Sequence, residues 1–366
     1  MTVGIVGAGQ LGRMMALAGY PLGLDFLFLD PAEAPPAAAL APVLRSEFTN
    51  VDSLAALAAR CGVVTIDWEN VSVEALRALG RNTRVSPPPA AIAAAQDRVS
   101  EKRLFEKLGI RTTRWCAVGS RRQLAAAARH IGLPGVLKTR RMGYDGKGQM
   151  VVRTAADLDR AWGELGQAPL LYEELVPFDL EVSVIGVRSR SGESRVYPLN
   201  HNVHCGGILR VTRAPYGNAR LALLASRQVR TVMEHFRYVG VLTIEFFVRK
   251  GQLVANEMAP RVHNSGHWTI EGAVTSQFEN HLRAIVGLPL GDTRAVGHSA
   301  MINLIGDMPE RSRLLGHEGL HLHDYAKLPR PGRKLGHLTI VDRNLSRRDR
   351  RARRLLAELA PEIHIP

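Results

Sequence analysis

The sequence predicts a chain of mixed class, in which an N-terminal α/β domain precedes α+β domains. Short apolar segments alternate with alanine-rich helical segments over residues 2–95, which is typical of a doubly wound parallel sheet. A Ser-Pro-Pro-Pro run at residues 86–89 then marks a boundary. Beyond it, strands rich in β-branched and aromatic residues are joined by glycine turns, as over residues 241–258, and this pattern indicates antiparallel hairpins.

Length and composition indicate a globular protein of two or three domains. The chain has 366 residues, of which 46% are hydrophobic, enough to bury substantial cores. It has no apolar run of about 18 residues and begins directly with a strand, so we expect no signal peptide, no membrane span and a cytoplasmic location. Cys61, Cys116 and Cys205 are few and far apart, which argues against a disulfide framework or a zinc site.

The basic charge invites comparison with nucleic-acid-binding proteins. The formal net charge is +14, but 41 arginines and 7 lysines are spread along the whole chain. The densest run is residues 347–354. Together with Leu345, Ala352, Leu355, Leu356 and Leu359 at helical spacing, it predicts a C-terminal amphipathic helix with a solvated basic face. We therefore expect no nucleic-acid partner; the alternative would show strongly salt-dependent binding. The rarity of lysine suggests that its positions need an ammonium rather than a guanidinium.

The first strand runs into a glycine-rich turn, Gly-Ala-Gly-Gln-Leu-Gly at residues 7–12, and Asp30 ends the next strand about 20 residues on. This spacing matches the dinucleotide fingerprint of a nicotinamide-dependent dehydrogenase, which is the strongest competing hypothesis. The glycines themselves require only a tight strand-to-helix turn whose helix N-terminus can hold an anion. The polar run at residues 67–70 also ends a strand, where ligand contact and structural capping are equal alternatives.

Two acidic residues lie on adjacent strands of a predicted hairpin. Glu245 and Glu257 each stand among apolar residues, on strands joined by a turn at Lys250-Gly251. A two-residue turn would pair Glu245 with Asn256, whereas a three-residue connection would set the two carboxylates opposite each other. The second register is unfavourable without a cation between the acids, and Mg²⁺ suits such oxygen ligands. Two solvated acids on a surface hairpin are the alternative.

Two further segments carry candidate phosphate ligands. Lys138 ends an apolar strand before a loop at residues 143–149, in which glycines let backbone N–H groups approach phosphates and Lys147 adds charge. A plain hairpin turn is the alternative for this loop. Arg333 and Lys334 lie beside glycine and form a candidate phosphate clamp, for which a basic surface loop is the equal alternative.

These features, in this order, resemble the ATP-grasp superfamily, in which two α+β subdomains hold ATP between them. A lysine at a strand end, a glycine-rich loop, a strand ending in Glu-Glu-Leu-Val at residues 173–176 and paired acids on a later hairpin carry the resemblance. Segments 9–14, 143–149, 257–268 and 330–337 look like those of the 5-(carboxyamino)imidazole ribonucleotide synthase family. The run at residues 259–267 is highly specific, and the resemblance spans nearly the whole chain.

The resemblance implies three domains. These are a Rossmann-like preATP-grasp domain that binds no dinucleotide, over residues 1–96, an ATP-grasp domain of two subdomains over residues 97–293, and a small β-rich C-terminal domain over residues 294–366. A formate-dependent purine transformylase would share the metal hairpin and differ in the loop at residues 261–267.

The resemblance also implies a ligase of purine biosynthesis. Bicarbonate would attack the γ-phosphate of ATP to give carboxyphosphate, and the exocyclic amine of 5-aminoimidazole ribonucleotide would then be carboxylated, with release of ADP and phosphate. The implied cofactors are ATP and Mg²⁺, with Mn²⁺ as a substitute. The implied assembly is a homodimer.

Roles for individual residues follow from the resemblance position by position. Glu245 and Glu257 would bind the metal. The implied ATP-binding residues are Arg98, Lys138, Gly143, Tyr144, Asp145, Gly146, Lys147, Gly148, Gln149, Glu173, Glu174, Leu175, Val176, Glu181, His204, Asn256 and Glu257. The implied catalytic residues are Tyr144, Asp145, Lys147 and Arg261, and the implied ribonucleotide-binding residues are Gln10, Leu11, His263, Asn264, Ser265, Arg333 and Lys334. Two positions depart from the family pattern, because Met142 replaces a usual glycine and Lys147 a common arginine.

Overall fold

Three β-sheets organise the part of the chain that the computed structural model describes, residues 1–143 and 146–365. A five-stranded parallel sheet comes first, a four-stranded antiparallel sheet follows, and a nine-stranded antiparallel sheet completes the chain. This arrangement confirms the predicted mixture of α/β and α+β domains.

The N-terminal domain is a Rossmann-like α/β unit with the strand order β3-β2-β1-β4-β5. Its strands are β1 (Thr2–Val6), β2 (Asp25–Asp30), β3 (Val43–Arg45), β4 (Val63–Ile66) and β5 (Arg84–Val85). Its helices are α1 (Gln10–Gly19), α2 (Val51–Arg60), α3 (Val73–Leu79) and α4 (Pro89–Ala95). The central strands are continuous apolar runs because helices cover both faces of the sheet.

A bridging helix and a small antiparallel sheet follow. The helix is α5 (Arg98–Lys107), capped by the Asp97 side chain, which accepts from two backbone N–H groups. The sheet has the order β6-β9-β7-β8, with β6 (Trp115–Val118), β7 (Gly135–Thr139), β8 (Gln149–Val152) and β9 (Leu170–Glu174). Its helices α6 (Arg121–Ile131) and α7 (Ala155–Leu165) share one apolar core with it.

The nine-stranded sheet has the order β15-β14-β10-β12-β13-β16-β18-β17, with β11 paired to β10. Its strands are β10 (Leu180–Arg188), β11 (Ser194–Val196), β12 (Asn200–Cys205), β13 (Ile208–Ala214), β14 (Gly240–Arg249), β15 (Gln252–Ala259), β16 (His298–Ile305), β17 (Leu320–Asp324) and β18 (Lys334–Asp342). Its helices are α8 (Ala219–His235), α9 (Thr269–Gly272), α10 (Gln277–Val286), α11 (Arg311–Leu315) and α12 (Leu345–Leu359).

Strand β13 pairs with strand β16, so the large sheet contains strands from both sides of residue 293, where the sequence predicts a domain boundary. Hydrogen bonding is therefore continuous from the hairpin β14–β15 to the C-terminal strands. The limits at residues 96 and 293 stay a prediction.

Helix packing brings the N-terminal domain against the large sheet. α1 packs on α10, and α10 packs on β14, within one apolar core that includes Met15, Phe278 and Leu282. At the same interface the hydroxyl of Thr65 lies 2.9 Å from Nε2 of His281, and both residues are fully buried. The first glycine turn is therefore held beside the large sheet.

The predicted C-terminal amphipathic helix is α12, and one of its arginines is not solvated. Ala352, Leu355 and Leu356 face the core, as the spacing predicts. Arg348 is buried too, and its Nη1 donates to the carbonyl of Ser299 over 2.7 Å. The three cysteines are free thiols, and no helix within the described ranges has the length and apolar character needed to cross a membrane.

Candidate active site

A cleft of about 450 Å³ lies where the three sheets meet. Most of the residues that the sequence marks as site candidates line it. They are Gln10, Leu11, Arg98, Lys138, Gly143, Gly146, Lys147, Gln149, Glu181, His204, Glu245, Asn256, Glu257, Arg261, His263, Asn264 and Lys334. Tyr144 and Asp145 lie outside the described residues.

The acid hairpin, formed by β14 and β15, places its two carboxylates opposite each other by an unexpected route. The turn has two residues, Lys250 and Gly251, both with positive φ, which by the simple register would pair Glu245 with Asn256. Instead a β-bulge intervenes, so that Phe246 pairs with Ala255 while Glu245 pairs with Glu257. The carboxylates face each other as the metal hypothesis requires, but the turn length is not the cause.

The charges around the acid hairpin differ for its two acids. Burial raises the pKa of Glu245 to about 7. The negative charge of Glu257 adds to this increase, and the positive charge of His204 opposes it. Burial alone would also raise the pKa of Glu257, but Arg98, whose Nη1 lies 3.1 Å from its Oε2, and Lys138 hold it below its usual value. A bound cation would lower the pKa of both acids from these values.

The oxygen atoms of the acid hairpin suit a hard cation that is also bound by a substrate. The Oδ1 atom of Asn256 lies in the same cleft, buried and with no hydrogen-bond partner among the described residues. Within those residues, no group of three or more His, Cys, Asp or Glu could hold a metal alone. Two carboxylates fit Mg²⁺, which usually completes its shell with water and substrate phosphates.

Lys138 reaches the cleft from β7 and is held from behind by Glu173. Its Nζ lies 2.5 Å from Oε1 of Glu173, while Lys102 lies 3.1 Å from Oε2 of the same carboxylate. Thr113 donates a third hydrogen bond to it, over 2.6 Å. Burial alone would raise the pKa of Glu173, but the two ammonium groups hold it well below its usual value. Glu173 therefore orients Lys138, and its side chain does not line the cleft.

Two other residues of the implied adenine hinge, Glu174 and Val176, also present their side chains elsewhere. Glu174 pairs with Arg114 over 2.9 Å, and Val176 is buried. Their role stays a prediction.

His204 and Glu181 form a charged pair on neighbouring strands of the large sheet. Nδ1 of His204 lies 2.9 Å from Oε2 of Glu181. Burial alone would lower the pKa of His204, but the bond to Glu181 and the charge of Glu245 raise it to about 9. The imidazole is therefore a cation at neutral pH, on the wall of the cleft.

The first glycine turn is occupied by carboxylates of the protein itself. Asp67 accepts from the N–H of Gly12 over 3.0 Å, and Asp30 accepts from the N–H of Ala8 over 2.7 Å. Burial raises the pKa of Asp67 to about 6. This geometry favours structural capping for Asp67, although all four residues at 67–70 line the cleft.

The specific loop after the acid hairpin is anchored from two sides. Arg261 pairs with Glu69 of the N-terminal domain, with 2.9 Å between Nη2 and Oε1. His263 lies 3.5 Å from Glu245 through Nε2, and its Nδ1 lies 2.8 Å from the hydroxyl of Ser265. Ser265 is fully buried and supports His263 instead of lining the cleft.

The predicted phosphate clamp is divided between cleft and surface. Lys334 lines the cleft, whereas Arg333 does not and donates to the carbonyl of Leu328 over 3.2 Å. Beside the clamp, Lys327 donates to the side chain of Gln10, a contact that the sequence did not predict.

Gly143 and Gly146 of the second glycine turn line the cleft. A Cβ at Gly143 would lie 3.2 Å from Nη2 of Arg98, and one at Gly146 would lie 2.9 Å from the carbonyl of Gly206 across the cleft. Met142, which replaces the family glycine, has φ of 62°, a conformation that glycine adopts more easily. Gly148 does not line the cleft.

Sequence reasoning missed Glu101 and Lys102 on α5, two buried charged residues beside the acid hairpin. A glutamate and a lysine in an amphipathic helix are usually solvated, so these residue types did not indicate that Glu101 and Lys102 are buried. The rarity of lysine was a usable signal. Five of the seven lysines lie in the cleft or contact a residue that lines it, namely Lys102, Lys138, Lys147, Lys327 and Lys334.

Three family models match the chain in succession. The ribonucleotide synthetase preATP-grasp domain matches residues 1–96, the ATP-grasp domain residues 103–278, and the phosphoribosylaminoimidazole carboxylase C-terminal domain residues 299–351. A curated protein of Pseudomonas aeruginosa, N5-carboxyaminoimidazole ribonucleotide synthase, is 50% identical over 93% of this chain and 94% of its own.

Solved structures agree with the sequence matches. N5-carboxyaminoimidazole ribonucleotide synthetase from Thermus thermophilus is 46% identical, with a TM-score of 0.94 and full coverage of both chains. The synthase from Aspergillus clavatus, solved with ADP and 5-aminoimidazole ribonucleotide, is 28% identical, with a TM-score of 0.91 and 99% coverage of both chains. The resemblance noted in the sequence is confirmed, and the chain belongs to the N5-carboxyaminoimidazole ribonucleotide synthase family of ATP-grasp ligases.

Proposed function

We propose that this chain uses ATP and bicarbonate to carboxylate the exocyclic amine of 5-aminoimidazole ribonucleotide, through carboxyphosphate, with release of ADP and phosphate in purine biosynthesis. The observation that carries the proposal is the cleft itself, in which two opposed carboxylates, a buried lysine and a basic loop converge. The Aspergillus clavatus relative, crystallised with ADP and 5-aminoimidazole ribonucleotide, supports the choice of substrates.

The ATP end of the cleft is the acid hairpin and its surroundings. Glu245 and Glu257 would hold Mg²⁺, with Asn256 beside them, and the bound metal would neutralise the charge of the transferring phosphoryl group. Lys138 is aimed by Glu173, so its ammonium needs no rearrangement to meet a phosphate oxygen. Arg98 supplies a second fixed cation, paired with Glu257.

Bicarbonate is a poor electrophile, and phosphorylation activates its carbon. Its oxygen attacks the γ-phosphorus, the bond from that phosphorus to the ADP oxygen breaks, and carboxyphosphate forms. The exocyclic amine then attacks either the carboxyphosphate carbon, with phosphate as the leaving group, or CO₂ that carboxyphosphate has released together with phosphate. In both routes the amine gives up a proton. Carboxyphosphate hydrolyses in water, so the loop at residues 143–148, whose Gly146 lies beside Gly206, is the proposed lid.

The ribonucleotide would occupy the end of the cleft near the N-terminal domain. Gln10, His263, Asn264 and Lys334 line this end, and the Glu69–Arg261 pair joins its two walls. Lys334 would meet the phosphate of the nucleotide. A homodimer and a cytoplasmic location accompany this proposal as predictions from the family resemblance.

The direct test is release of ADP from ATP, Mg²⁺ and bicarbonate, with and without 5-aminoimidazole ribonucleotide. Strong stimulation by the ribonucleotide, with formation of its N-carboxylated product, is the expected result. Stimulation by formate and glycinamide ribonucleotide instead would overturn the acceptor and keep the ATP site.

The metal assignment is tested by Glu245→Gln. The amide cannot offset the charge of a cation, so we expect turnover to fall by about two orders of magnitude or more, with the fold unchanged. Glu234→Gln, at an exposed position on α8, is the matched control and should keep wild-type turnover. Wild-type turnover in Glu245→Gln would contradict the assignment; circular dichroism checks the fold of both variants.

A further inference from the structure

The alignment of the two acids depends on one extra residue in β15. Pairing from the turn inward is regular as far as Phe246 and Ala255, and the next residue of β15, Asn256, has no partner in the ladder. Without this bulge Asn256 would face Glu245, and Glu257 would point to the other face of the sheet, because side chains alternate along a strand. The bulge therefore decides whether the cleft contains one carboxylate or two.

Strand β15 is the edge of the nine-stranded sheet, so its ladder partner among the described strands is β14, and its other side is open to contacts from α5 and its neighbours. A bulge also leaves backbone groups without ladder partners, and buried groups of this kind need other partners. On the open edge, Ala255 donates to the carbonyl of Arg111 over 2.7 Å, and its own carbonyl accepts from the hydroxyl of Thr112 over 2.9 Å. These bonds hold the strand up to the bulge and no further.

Two consecutive residues of α5 hold the bulge itself. The N–H of Met258 donates to Oε1 of Glu101 over 2.6 Å, and Nζ of Lys102 donates to the carbonyl of Asn256 over 3.2 Å. Both side chains are only 2% exposed. One supplies an acceptor and the other a donor, on either side of Glu257, so together they clamp the backbone that carries this acid.

We infer that Glu101 is a positioning residue of the ATP site: with Lys102, it fixes the bulge that turns Glu257 to the same face as Glu245. The inference deepens the proposed function and rests on it for the metal. Lys102 also contacts Glu173, which aims Lys138, so α5 sets the acid hairpin and the phosphate lysine together.

The test compares Glu101→Met with Glu101→Gln in the full-length chain. Methionine keeps the volume and removes the acceptor, whereas glutamine keeps an oxygen that can accept from Met258. In Glu101→Met we expect the KM for Mg²⁺ to rise about tenfold or more and the Met258 amide to exchange with deuterium at least about tenfold faster. The KM for 5-aminoimidazole ribonucleotide should stay within about twofold.

The variant Glu101→Gln and a control variant distinguish a role of Glu101 in positioning the bulge from a role of its negative charge. Glu101→Gln should restore the wild-type KM for Mg²⁺ and the Met258 protection. Glu106→Gln, on the exposed face of the same helix, should match the wild type in both. If Glu101→Gln is as impaired as Glu101→Met, Glu101 acts through its charge or as a ligand, and the inference is overturned.

The inference and the proposed function fail in different ways. Wild-type KM for Mg²⁺ and wild-type Met258 protection in Glu101→Met would overturn the inference while the wild-type enzyme still requires Mg²⁺. A wild-type enzyme that needs no divalent cation would overturn the metal assignment, and the exchange rate of Met258 would still decide what Glu101 does. If Glu101→Met does not fold, Glu101→Gln decides alone, since a tenfold rise in its KM for Mg²⁺ contradicts the inference and an unchanged value supports it.

Discussion

The two glycine-rich turns of this chain look alike in sequence but differ in the source of the anion that each one accepts. The turn at residues 7–12 surrounds the carboxylate of Asp67, which would lie 2.9 Å from a Cβ at Gly9 and 3.2 Å from one at Gly12. Of the second turn, Gly143 and Gly146 line the cleft, and the Arg98 guanidinium lies beside Gly143. The first turn is filled by an anion of the protein, and the second is placed to receive one from outside.

The difference teaches that a glycine pattern identifies an anion site without identifying its anion. A pyrophosphate at the first turn would have to displace Asp67, which accepts from the N–H of Gly12. The dehydrogenase hypothesis therefore loses its binding site, although the fingerprint spacing is present. What separates the two turns is the neighbouring strand end, which supplies Asp67 to the first and Lys138 to the second.

The largest effect should come from removing the cation of the second turn. In Lys138→Met we expect kcat/KM for ATP to fall by about 10²–10³-fold, because a fixed cation no longer meets the phosphoryl charge. The fold should persist, since Glu173 keeps Lys102 and Thr113 as partners. Lys107→Met, at an exposed position on α5, is the matched control. Steady-state kinetics measures the effect, and wild-type kcat/KM in Lys138→Met would contradict it.

A pair of glycine variants compares the two turns directly. Gly7 has φ of 99° and a Cβ there would lie 3.0 Å from Oδ1 of Asp67, so Gly7→Ala should lower the free energy of unfolding by about 1–3 kcal/mol. Gly148 has φ of 69° and a Cβ there would lie 2.5 Å from Oγ1 of Thr139, so Gly148→Ala should distort the loop and raise the KM for ATP several-fold.

Each glycine variant is the control for the other. Gly7→Ala should leave the KM for ATP within about twofold, and Gly148→Ala should unfold near the wild-type midpoint, because its loop can adjust without disturbing a core. Urea unfolding and ATP kinetics measure both quantities. If Gly7→Ala raised the KM for ATP and Gly148→Ala lowered the free energy of unfolding, the comparison between the two turns would be contradicted.

A further effect concerns the pH dependence of the pair formed by His204 and Glu181. The folded-state pKa of His204 is about 9, above its unfolded value of about 6.5. Its contribution to stability is therefore fully present below pH 6.5 and is lost as the pH rises through 9. The free energy of unfolding of the wild type should fall by on the order of 2 kcal/mol between pH 6 and pH 9.5, compared with its change in His204→Gln over the same range. Urea midpoints of both proteins give the difference; parallel curves would refute the charged pair.

Much of the site could be predicted because its chemistry is local in sequence. Lys138 at a strand end and the two hairpin acids are recognisable from residue type and spacing. The register of the hairpin was not predictable in the same way, since the bulge at Asn256 is held by Glu101, which lies far away in the chain. The observed register agrees with the metal hypothesis, but it results from the bulge and not from the length of the turn, which is what hairpin rules use.

Glu173 shows a second limit of sequence reasoning. The strand-end pattern predicted its segment correctly as part of the site, but a strand alternates its side chains between two faces, and the sequence alone does not say which face meets the ligand. In the structure Glu173 meets two lysines behind the cleft. The ladder between β13 and β16 was missed for a related reason, because pairing between distant strands leaves no local signal.

That ladder has a consequence for the order in which the protein is made. β13 is complete at Ala214, but its partner β16 begins only at His298, after residues 215–297 have been synthesised. At about 5–20 residues per second the ribosome needs on the order of 10 s for this interval. During it, the nascent sheet presents an unpaired edge at β13, where another strand could add. This edge is therefore most open to pairing with another chain during translation, before β16 has been made.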